Sequence, residues 1–336
     1  RDELPAGILR KSVLGLVLAA IVVGNAAYEG GNISGGVLGL QALGSTGILE
    51  VAGYAINGYS LLIGAIAFIL LYIGNYKVLE KVFLLLVILM SLSFVITAIL
   101  TGPQLLTVLK GALIPQFPDG SILMIVALVG TTVVPYNLFL HASLVNQKWK
   151  DTSELSAAKK DTIVAVILGG LVSMSVIIAA AALSGQEVDG ASGLALSLEP
   201  LYGSAARYCI GLGLFAAGIT SAITAPLAAT YVAQGCLNLG GDLKSRNFRL
   251  VWMLVLVLGV GVATFGIKPI EIIQFAQVAN GILLPVIAGI LIWLANRSTL
   301  LGSYQNSKLK NVISVCILIV TLILGARAIL SVFGLL

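Results

Sequence analysis

Long runs of apolar residues dominate the chain, and short polar segments separate them. Nine of these runs are long enough to cross a bilayer as helices, which takes about 20 residues each. They cover residues 13–42, 51–74, 82–101, 121–145, 162–184, 201–235, 250–266, 272–295 and 311–334. Membrane-spanning strands would instead alternate apolar and polar residues over segments of about ten. The pattern therefore predicts an all-α polytopic membrane protein, with residues 1–336 forming a single transmembrane domain.

Composition excludes the soluble classes of protein. Hydrophobic residues make up 59% of the chain and charged residues 10%, and the mean hydropathy is +1.07. Soluble domains contain about 45–50% apolar and about 25% charged residues. Cys209, Cys236 and Cys316 have no metal-binding spacing and are expected to be buried apolar residues. No GxxxxGK[ST] loop, HExxH motif or nucleophile elbow occurs, so no enzyme is expected.

The formal net charge of +5 reflects basic residues concentrated on one side of the predicted membrane. Counted over alternating sides of the nine spans, fifteen Lys and Arg residues share the side of residue 1, and two lie opposite. The fifteen are Arg1, Arg10, Lys11, Lys77, Lys81, Lys148, Lys150, Lys159, Lys160, Lys244, Arg246, Arg249, Arg297, Lys308 and Lys310, and the two are Lys110 and Lys268. Cytoplasmic loops carry the excess of basic residues. Residue 1 is therefore expected in the cytoplasm and the C-terminus outside, in a bacterial inner (plasma) membrane.

Ionisable residues inside apolar spans mark functional sites, because burying a charge in hydrocarbon is costly. Glu29 lies near the middle of the first span, in a glycine-rich segment that also contains Asn25 and Asn32. Its carboxylate would face an aqueous pathway, as a proton relay or cation contact, or it would be a neutral acid hydrogen-bonded between packed helices. His141, the one histidine of the sequence, lies in the second half of the fourth span.

Three spans combine polar side chains with proline. Pro135 interrupts the fourth span shortly after Thr131, and the sixth span is expected to be interrupted at Pro226. Broken helices expose carbonyls that coordinate ions in secondary transporters, and a simple proline kink is the alternative. In the eighth span, Gln277 and Asn280 share one face. That face would line a cavity or join neighbouring helices through hydrogen bonds.

The fourth span carries a resemblance to a known family. Residues 133–145, VVPYNLFLHASLV, resemble the sixth helix of the NRAMP divalent-metal transporters, which typically contains Met-Pro-His-Asn-Leu-Tyr-Leu-His. The proline, the asparagine and the second histidine fall in register. Residues 218–235 resemble the eighth helix of the family. Residues 275–278, FAQV, resemble the tenth helix, whose Ser-Gln-Val carries a metal-site glutamine.

This resemblance implies a LeuT-type fold, built from two inverted five-helix repeats. The nine spans would correspond to family helices three to eleven, with 121–145 as the broken sixth helix. The family's first two helices would precede Arg1. They are therefore expected to be missing from these 336 residues, which do not contain the family's Asp-Pro-Gly-Asn motif.

By the same resemblance, the metal site would lie at Thr131, Val134, Asn137 and Gln277, beside the helix break at Pro135. Val134 stands where the family has a methionine, whose thioether favours soft transition metals. Oxygen donors would then remain. Such a site would favour hard divalent cations such as Mg²⁺ or Mn²⁺.

The resemblance also implies a proton pathway through Glu29, His141 and Lys148. Lys148 stands where the family has an arginine, and Tyr136 replaces the first family histidine. The family's third helix usually has an Asp three residues before its Glu, but this sequence has Ala26 there. Proton coupling would therefore depend on Glu29 and His141.

These features predict a secondary active transporter of divalent metal cations that works by alternating access. It would act as a monomer in the lipid bilayer, with protons as a coupling ion, no resident cofactor and no nucleic-acid partner. Two alternatives stay open: a LeuT-type carrier of another substrate, such as an amino acid or organic cation, and a non-transporting receptor or scaffold. The broken helices and polar faces favour transport.

Overall fold

A computed structural model describes residues 8–44, 46–74, 77–114, 116, 118–132, 135–183, 190–237, 245–265 and 268–332. In these ranges the chain forms fourteen α-helices and one two-stranded sheet. The elements are α1 (Ile8–Leu43), β1 (Ile48–Val51), β2 (Tyr54–Asn57), α2 (Gly58–Ile73), α3 (Lys77–Leu100), α4 (Leu105–Leu113), α5 (Ile122–Thr132), α6 (Pro135–Lys148), α7 (Leu155–Ala181), α8 (Gly190–Leu196), α9 (Glu199–Tyr202), α10 (Ala206–Leu237), α11 (Arg246–Thr264), α12 (Pro269–Ala295), α13 (Ser298–Leu301) and α14 (Lys308–Val332).

The predicted helical membrane architecture is confirmed. Within the described residues, six helices are long and apolar enough to cross a membrane. They are α3, α7, α10, α11, α12 and α14, which coincide with six of the nine predicted spans. Helix α2 is apolar but has only 16 residues. The count of nine spans in one domain stays a prediction.

The first predicted span is one continuous helix. Helix α1 has 36 residues, so its axis is about 54 Å long at about 1.5 Å per residue. The hydrocarbon core of a bilayer is about 30 Å thick, so α1 is longer than an upright span requires. A helix of this length tilts or extends beyond the hydrocarbon core.

The second predicted span begins with a β-hairpin rather than a helix. Strands β1 and β2 pair antiparallel, and α2 begins only at Gly58. Ala52 and Gly53 both have positive φ, of 52° and 81°, which matches the tight two-residue turn that joins hairpin strands. Asn57 then caps α2, because its Oδ1 accepts hydrogen bonds from the N–H groups of Tyr59 at 3.1 Å and Ser60 at 3.4 Å. The turn and the cap therefore delay the start of the helix, although the apolar run begins at residue 51.

Of the two predicted proline interruptions, the structure tests the one at Pro226. In the fourth predicted span, α5 is described to Thr132 and α6 from Pro135, and residues 133–134 lie outside the described structure, so the break at Pro135 stays a prediction. The expected interruption at Pro226 is wrong, because α10 continues through it to Leu237. The hydroxyl of Thr230 donates to the carbonyl of Pro226 at 2.8 Å, within the same helix. Tight packing around Pro226, which is buried, holds the helix together there.

Helix α1 lies at the centre of the packed helices, against α10, α11 and α12. Glycines bring α1 and α10 into backbone contact: a Cβ added at Gly39 would lie 2.5 Å from the Phe215 nitrogen, and one added at Gly218 would lie 2.5 Å from the Gly36 nitrogen. Small residues permit such close approach of membrane helices. The largest core cluster lies where α1, α2, α10 and α11 meet, and includes the fully buried Trp252.

The expectation that all three cysteines are buried is wrong. Cys209 and Cys236 are half-buried, and Cys316 is exposed on α14. All three are free thiols. Apolar residues on the outer faces of spanning helices are covered by lipid rather than by protein, so low polarity in the sequence does not distinguish a core position from a lipid-facing one.

Candidate functional site

A cavity of about 350 Å³ opens between α1, α10 and α12. Four of its lining residues carry polar side-chain atoms, and most of the others are small or aliphatic. The lining consists of Tyr28, Gly31, Asn32, Gly35, Leu214, Ala217, Gly218, Ser221, Ile273, Ala276 and Gln277. Mixed walls of this kind, apolar with a few polar groups, are typical of small-ligand sites.

Residue spacing along α1 explains why the cavity forms there. Tyr28 and Asn32 are four residues apart, as are Gly31 and Gly35, so each pair lies on one face of the helix. A Cβ at Gly31 would contact the Ala276 methyl at 3.3 Å, so α12 packs closely at that level. At Gly35 a Cβ would meet no atom within 4 Å. The helices therefore touch at Gly31 and separate at Gly35.

Gln277 is the predicted metal ligand that the structure places in this cavity. It projects from α12, one turn beyond Ile273, which also lines the space. Gln274, three residues earlier, is exposed and is not part of the lining. The side chain of Asn280 lies outside the described part of the structure, so the predicted shared face with Gln277 stays a prediction.

Glu29 is completely buried between α1 and α11. Its side chain packs against the backbone of Gly259, where any Cβ would overlap the glutamate side chain. The Oε2 atom accepts a hydrogen bond from Asn32 Nδ2 at 3.2 Å. The Oε1 atom has no hydrogen-bond partner among the described residues, and neither does the buried Nδ2 of Asn25. Buried polar atoms are nearly always paired, so an unpaired carboxyl oxygen inside a membrane helix indicates a functional group.

Asn32 connects this carboxyl group to the cavity. Its amide nitrogen donates to Glu29, and the same residue lines the cavity opposite Gln277. A change at the carboxyl group can therefore be transmitted to the cavity through one side chain. From the sequence, Asn32 is recognised only as a neighbour of Glu29. Because Tyr28 and Asn32 share one face of α1, their spacing is the feature from which a position in the cavity wall could be predicted.

His141 lies at the contact between α6 and α7 and does not line the cavity. The histidine is exposed, and its Nε2 atom is 3.2 Å from the Thr162 hydroxyl. The structure therefore separates the two predicted proton carriers: Glu29 is in the core, and His141 is on the surface.

Lys148 ends α6 and is also exposed. Its Nζ atom is 3.5 Å from Asp161 Oδ2, and both side chains are more than half exposed, at 59% and 56%. The same Nζ lies 4.8 Å from the centre of the Trp149 ring. Exposed ion pairs contribute little to stability, so this pair mainly fixes the orientation of the lysine.

The turn that follows α6 is ordered by side-chain caps. Asp151 Oδ1 accepts a hydrogen bond from the Ser153 N–H at 3.0 Å, and Glu154 Oε2 accepts from the Asp151 N–H at 3.2 Å. The backbone hydrogen bond from Ser153 holds the pKa of the Asp151 carboxyl group below its usual value. The connection to α7 is thus a capping box rather than a flexible linker.

The remaining predicted site residues belong to the fourth predicted span. Thr131 lies in the last turn of α5, and Pro135 and Asn137 lie in the first turn of α6. Their side chains are outside the described part of the structure, and Val134 lies outside it entirely. Among the described residues, no group of three or more His, Cys, Asp or Glu side chains converges on one point. The polar atoms that line the cavity belong to amide, hydroxyl and phenol groups.

Comparison with known proteins places this architecture in a family. The model of the family "Natural resistance-associated macrophage protein-like" matches residues 1–331. The chain is 31% identical over 285 residues to the "Divalent metal cation transporter MntH" of Pectobacterium carotovorum, covering 79% of the chain and 68% of the relative. It is 28% identical over 309 residues to the protein of the same name in Vibrio campbellii, covering 86% and 71%.

Solved structures give the same result for the fold. A mutant of the Eremococcus coleocola manganese transporter superposes with a TM-score of 0.70 at 19% identity, over 96% of this chain and 73% of that one. The same transporter bound to an aromatic bis-isothiourea compound gives 0.69 at 18% identity, over 97% and 73%. The expected LeuT-type fold is confirmed by these matches, and the protein is an integral membrane protein. Together with the family match over nearly its full length, they show that the chain belongs to the natural resistance-associated macrophage protein-like (Nramp) family.

Proposed function

We propose that the protein carries divalent metal cations across the membrane as a secondary transporter. The observation that carries the proposal is the family match over residues 1–331. Relatives that share about 30% of their residues with this chain are named divalent metal cation transporters. The cavity between α1, α10 and α12 supports the same function, because it lies between long apolar helices and carries oxygen-bearing side chains.

The transported ion occupies the cavity region and contacts Gln277. The amide oxygen of Gln277 is a hard donor, as are the side-chain oxygens of Asn32 and Ser221 in the same lining. Thr131 on α5 and Asn137 on α6 would add further oxygen donors. Hard donors suit Mg²⁺ and Mn²⁺.

Replacement of the family methionine by Val134 sets the preference among metals. Valine has no ligand atom, so the thioether that favours soft ions is lost. The protein should then distinguish Mn²⁺ from Mg²⁺ less sharply than a relative with the methionine does. Mg²⁺ loses its bound waters reluctantly. It would therefore be transported with several water molecules still attached.

Proton coupling operates through Glu29. Its carboxyl group is buried beside the cavity and hydrogen-bonds Asn32, which lines the cavity. A proton bound at Oε1 would neutralise the carboxyl group, and its release would add a negative charge near an arriving cation. His141 and Lys148, which lie on α6 outside the cavity, would complete the predicted proton pathway.

Alternating access would use the predicted helix break at Pro135. A helix broken there would let its two halves tilt separately, while the closely packed α1 and α10 stay fixed. The missing N–H of Pro135 weakens a regular helix at that point. The protein acts as a monomer in this scheme, because α1, α10 and α12 of one chain enclose the cavity.

The direct test is ion uptake into proteoliposomes that contain the full-length protein, with an internal pH dye in the same vesicles. We expect saturable Mn²⁺ entry, competition by Mg²⁺, and internal acidification that follows the metal. Metal entry without acidification would overturn proton coupling alone. Absence of flux for both ions would overturn metal transport, and uptake of an amino acid or organic cation would then identify the alternative LeuT-type carrier.

A further inference from the structure

A second and larger crevice lies between α5, α6, α12 and α14, away from the polar cavity. Its volume is about 570 Å³, within the range of about 300–1,000 Å³ that is typical of ligand pockets. The lining is almost entirely apolar and includes Val129, Leu138, Leu284, Ala288, Ile317 and Leu324. An apolar crevice of this size requires an apolar occupant.

The crevice faces the lipid side of the helices. Ile317 and Val320 line it and are 57% and 55% exposed, and both lie on α14, one of the spanning helices. In a bilayer, the hydrocarbon of the lipids surrounds such residues. A lipid acyl chain is therefore the occupant with direct access to this space.

One end of the crevice carries a concentrated positive charge. Arg297 follows the end of α12, and Lys308 and Lys310 begin α14. Lys310 lies one turn before Ser314, which lines the crevice. All three basic side chains are exposed, and residues 296–310 contain no Asp or Glu.

The helix ends that carry these charges are held together by asparagines. The Asn306 N–H donates to the Ala295 carbonyl at 3.0 Å. Asn296 Nδ2 donates to Asn311 Oδ1 at 2.9 Å, and Asn311 Nδ2 donates to Asn296 Oδ1 at 2.5 Å. The ends of α12 and α14 thus form an ordered corner at the opening of the crevice.

Trp293 marks this corner as a membrane–water interface. The Arg297 guanidinium lies 4.5 Å from the centre of the Trp293 ring, which is 37% exposed. Tryptophan is enriched at the level of lipid headgroups, and basic residues between spanning helices attract anionic headgroups. The apolar crevice, the aromatic ring and the basic residues therefore follow one another along α12 and α14, in the order of the parts of a phospholipid.

We propose that the crevice between α12 and α14 is a binding site for an anionic phospholipid. One acyl chain lies in the crevice against Ala288 and Ile317. The phosphate lies at Arg297, Lys308 and Lys310. The site is independent of metal transport, since none of its residues lines the polar cavity.

Native mass spectrometry of the purified full-length protein tests this proposal, with phosphatidylglycerol or phosphatidylcholine added in detergent. The headgroup variant is R297Q/K308Q/K310Q, and its matched control is K159Q/K160Q/R246Q, which removes three exposed basic residues elsewhere. The crevice variant is Ala288→Phe. Its control is Val286→Phe, because Val286 is exposed on the same helix and does not line the crevice. Thermal unfolding without lipid checks that each variant is folded.

We expect the wild type to retain phosphatidylglycerol in preference to phosphatidylcholine. Each basic residue near a membrane surface contributes about fivefold to the binding of an anionic lipid, so the headgroup variant should lose at least about tenfold. Ala288→Phe should also lose retention, while both controls stay close to the wild type. Equal retention of the two lipids, equal losses in the two triple variants, or full retention by Ala288→Phe would each overturn the proposal.

Discussion

At the residue scale, the proposed proton coupling depends on Glu29 and its immediate neighbours. The carboxyl group is removed from water, has one hydrogen bond to Asn32, and has one oxygen without a partner among the described residues. A purely structural glutamate would have both oxygens paired, because leaving a buried acceptor unpaired costs about 1–3 kcal/mol. The arrangement therefore fits a group that gains and loses a proton during transport.

Replacing Glu29 by glutamine tests that role, because glutamine keeps the shape and can accept the hydrogen bond from Asn32 but cannot release a proton. We expect the Glu29→Gln protein to unfold near the wild-type temperature and to lose metal-driven acidification of proteoliposomes. Acidification that persists at the wild-type rate would contradict the assignment.

The fit of Glu29 against α11 gives a second prediction. A Cβ at Gly259 would overlap the glutamate side chain, whereas one at Gly261 would meet no atom within 4 Å. Overpacking of a tight interior typically costs about 1–3 kcal/mol. We therefore expect Gly259→Ala to lower the thermal unfolding midpoint in detergent, and Gly261→Ala to leave it unchanged or raise it, since alanine favours a helix by about 1 kcal/mol. Equal midpoints for the two variants would show that Glu29 does not pack as described.

At the element scale, the backbone contact between α1 and α10 forms one side of the cavity, which the proposed transport cycle would leave fixed. Gly39 and Gly218 stand at points where a side chain would overlap backbone atoms of the other helix. Backbone atoms cannot rotate away, so the helices would have to separate. The contact should hold throughout the transport cycle, while α5 and α6 change position.

Gly39→Ala should therefore destabilise the protein by about 1–3 kcal/mol and lower the uptake rate, because the cavity wall shifts with α1. Gly235→Ala is the matched control, since it lies on α10 with no atom within 4 Å of its added Cβ. Thermal unfolding and Mn²⁺ uptake by the same preparations measure both effects. If the Gly39→Ala protein were as stable and active as the control, the contact between α1 and α10 would not be rigid.

Hydrophobic runs predicted most elements because a spanning helix must be apolar over its whole length. The hairpin at residues 48–57 was missed, since its positive φ at Ala52 and Gly53 depends on local turn chemistry inside an apolar run. The continuity of α10 through Pro226 was also missed. Packing against α1 supports that helix, and no pattern within α10 itself reveals this support.

The site was only partly predictable for the same reason. Gln277 was identified from a family motif, and the structure places it in the cavity. The position of Asn32 between Glu29 and the cavity depends on the mutual rotation of α1, α10 and α12, which the sequence of one helix does not specify. The separation of His141 from Glu29 likewise follows from tertiary packing.

At the scale of the whole molecule, the distribution of basic residues predicts how the protein lies in the membrane. Lys110 on α4 is one of two basic residues assigned to the outer side, and Lys159 on α7 is one of fifteen assigned to the cytoplasm. Both side chains are exposed. In a protein with its three cysteines replaced by alanine, Lys110→Cys should react with an impermeant maleimide in intact cells. Lys159→Cys should react only after permeabilisation, and the reverse pattern would invert the orientation.

If the cavity between α1, α10 and α12 receives the transported metal through Gln277, Mn²⁺ uptake must depend on the side chain of that residue. Mn²⁺ uptake would be measured in proteoliposomes for Gln277→Ala and for Gln274→Ala, which alters an exposed glutamine on the same helix. We predict that Gln277→Ala lowers uptake at limiting Mn²⁺ by at least about tenfold, the typical effect of disturbing a metal site. Gln274→Ala should transport at the wild-type rate. Wild-type uptake by Gln277→Ala would contradict the claim.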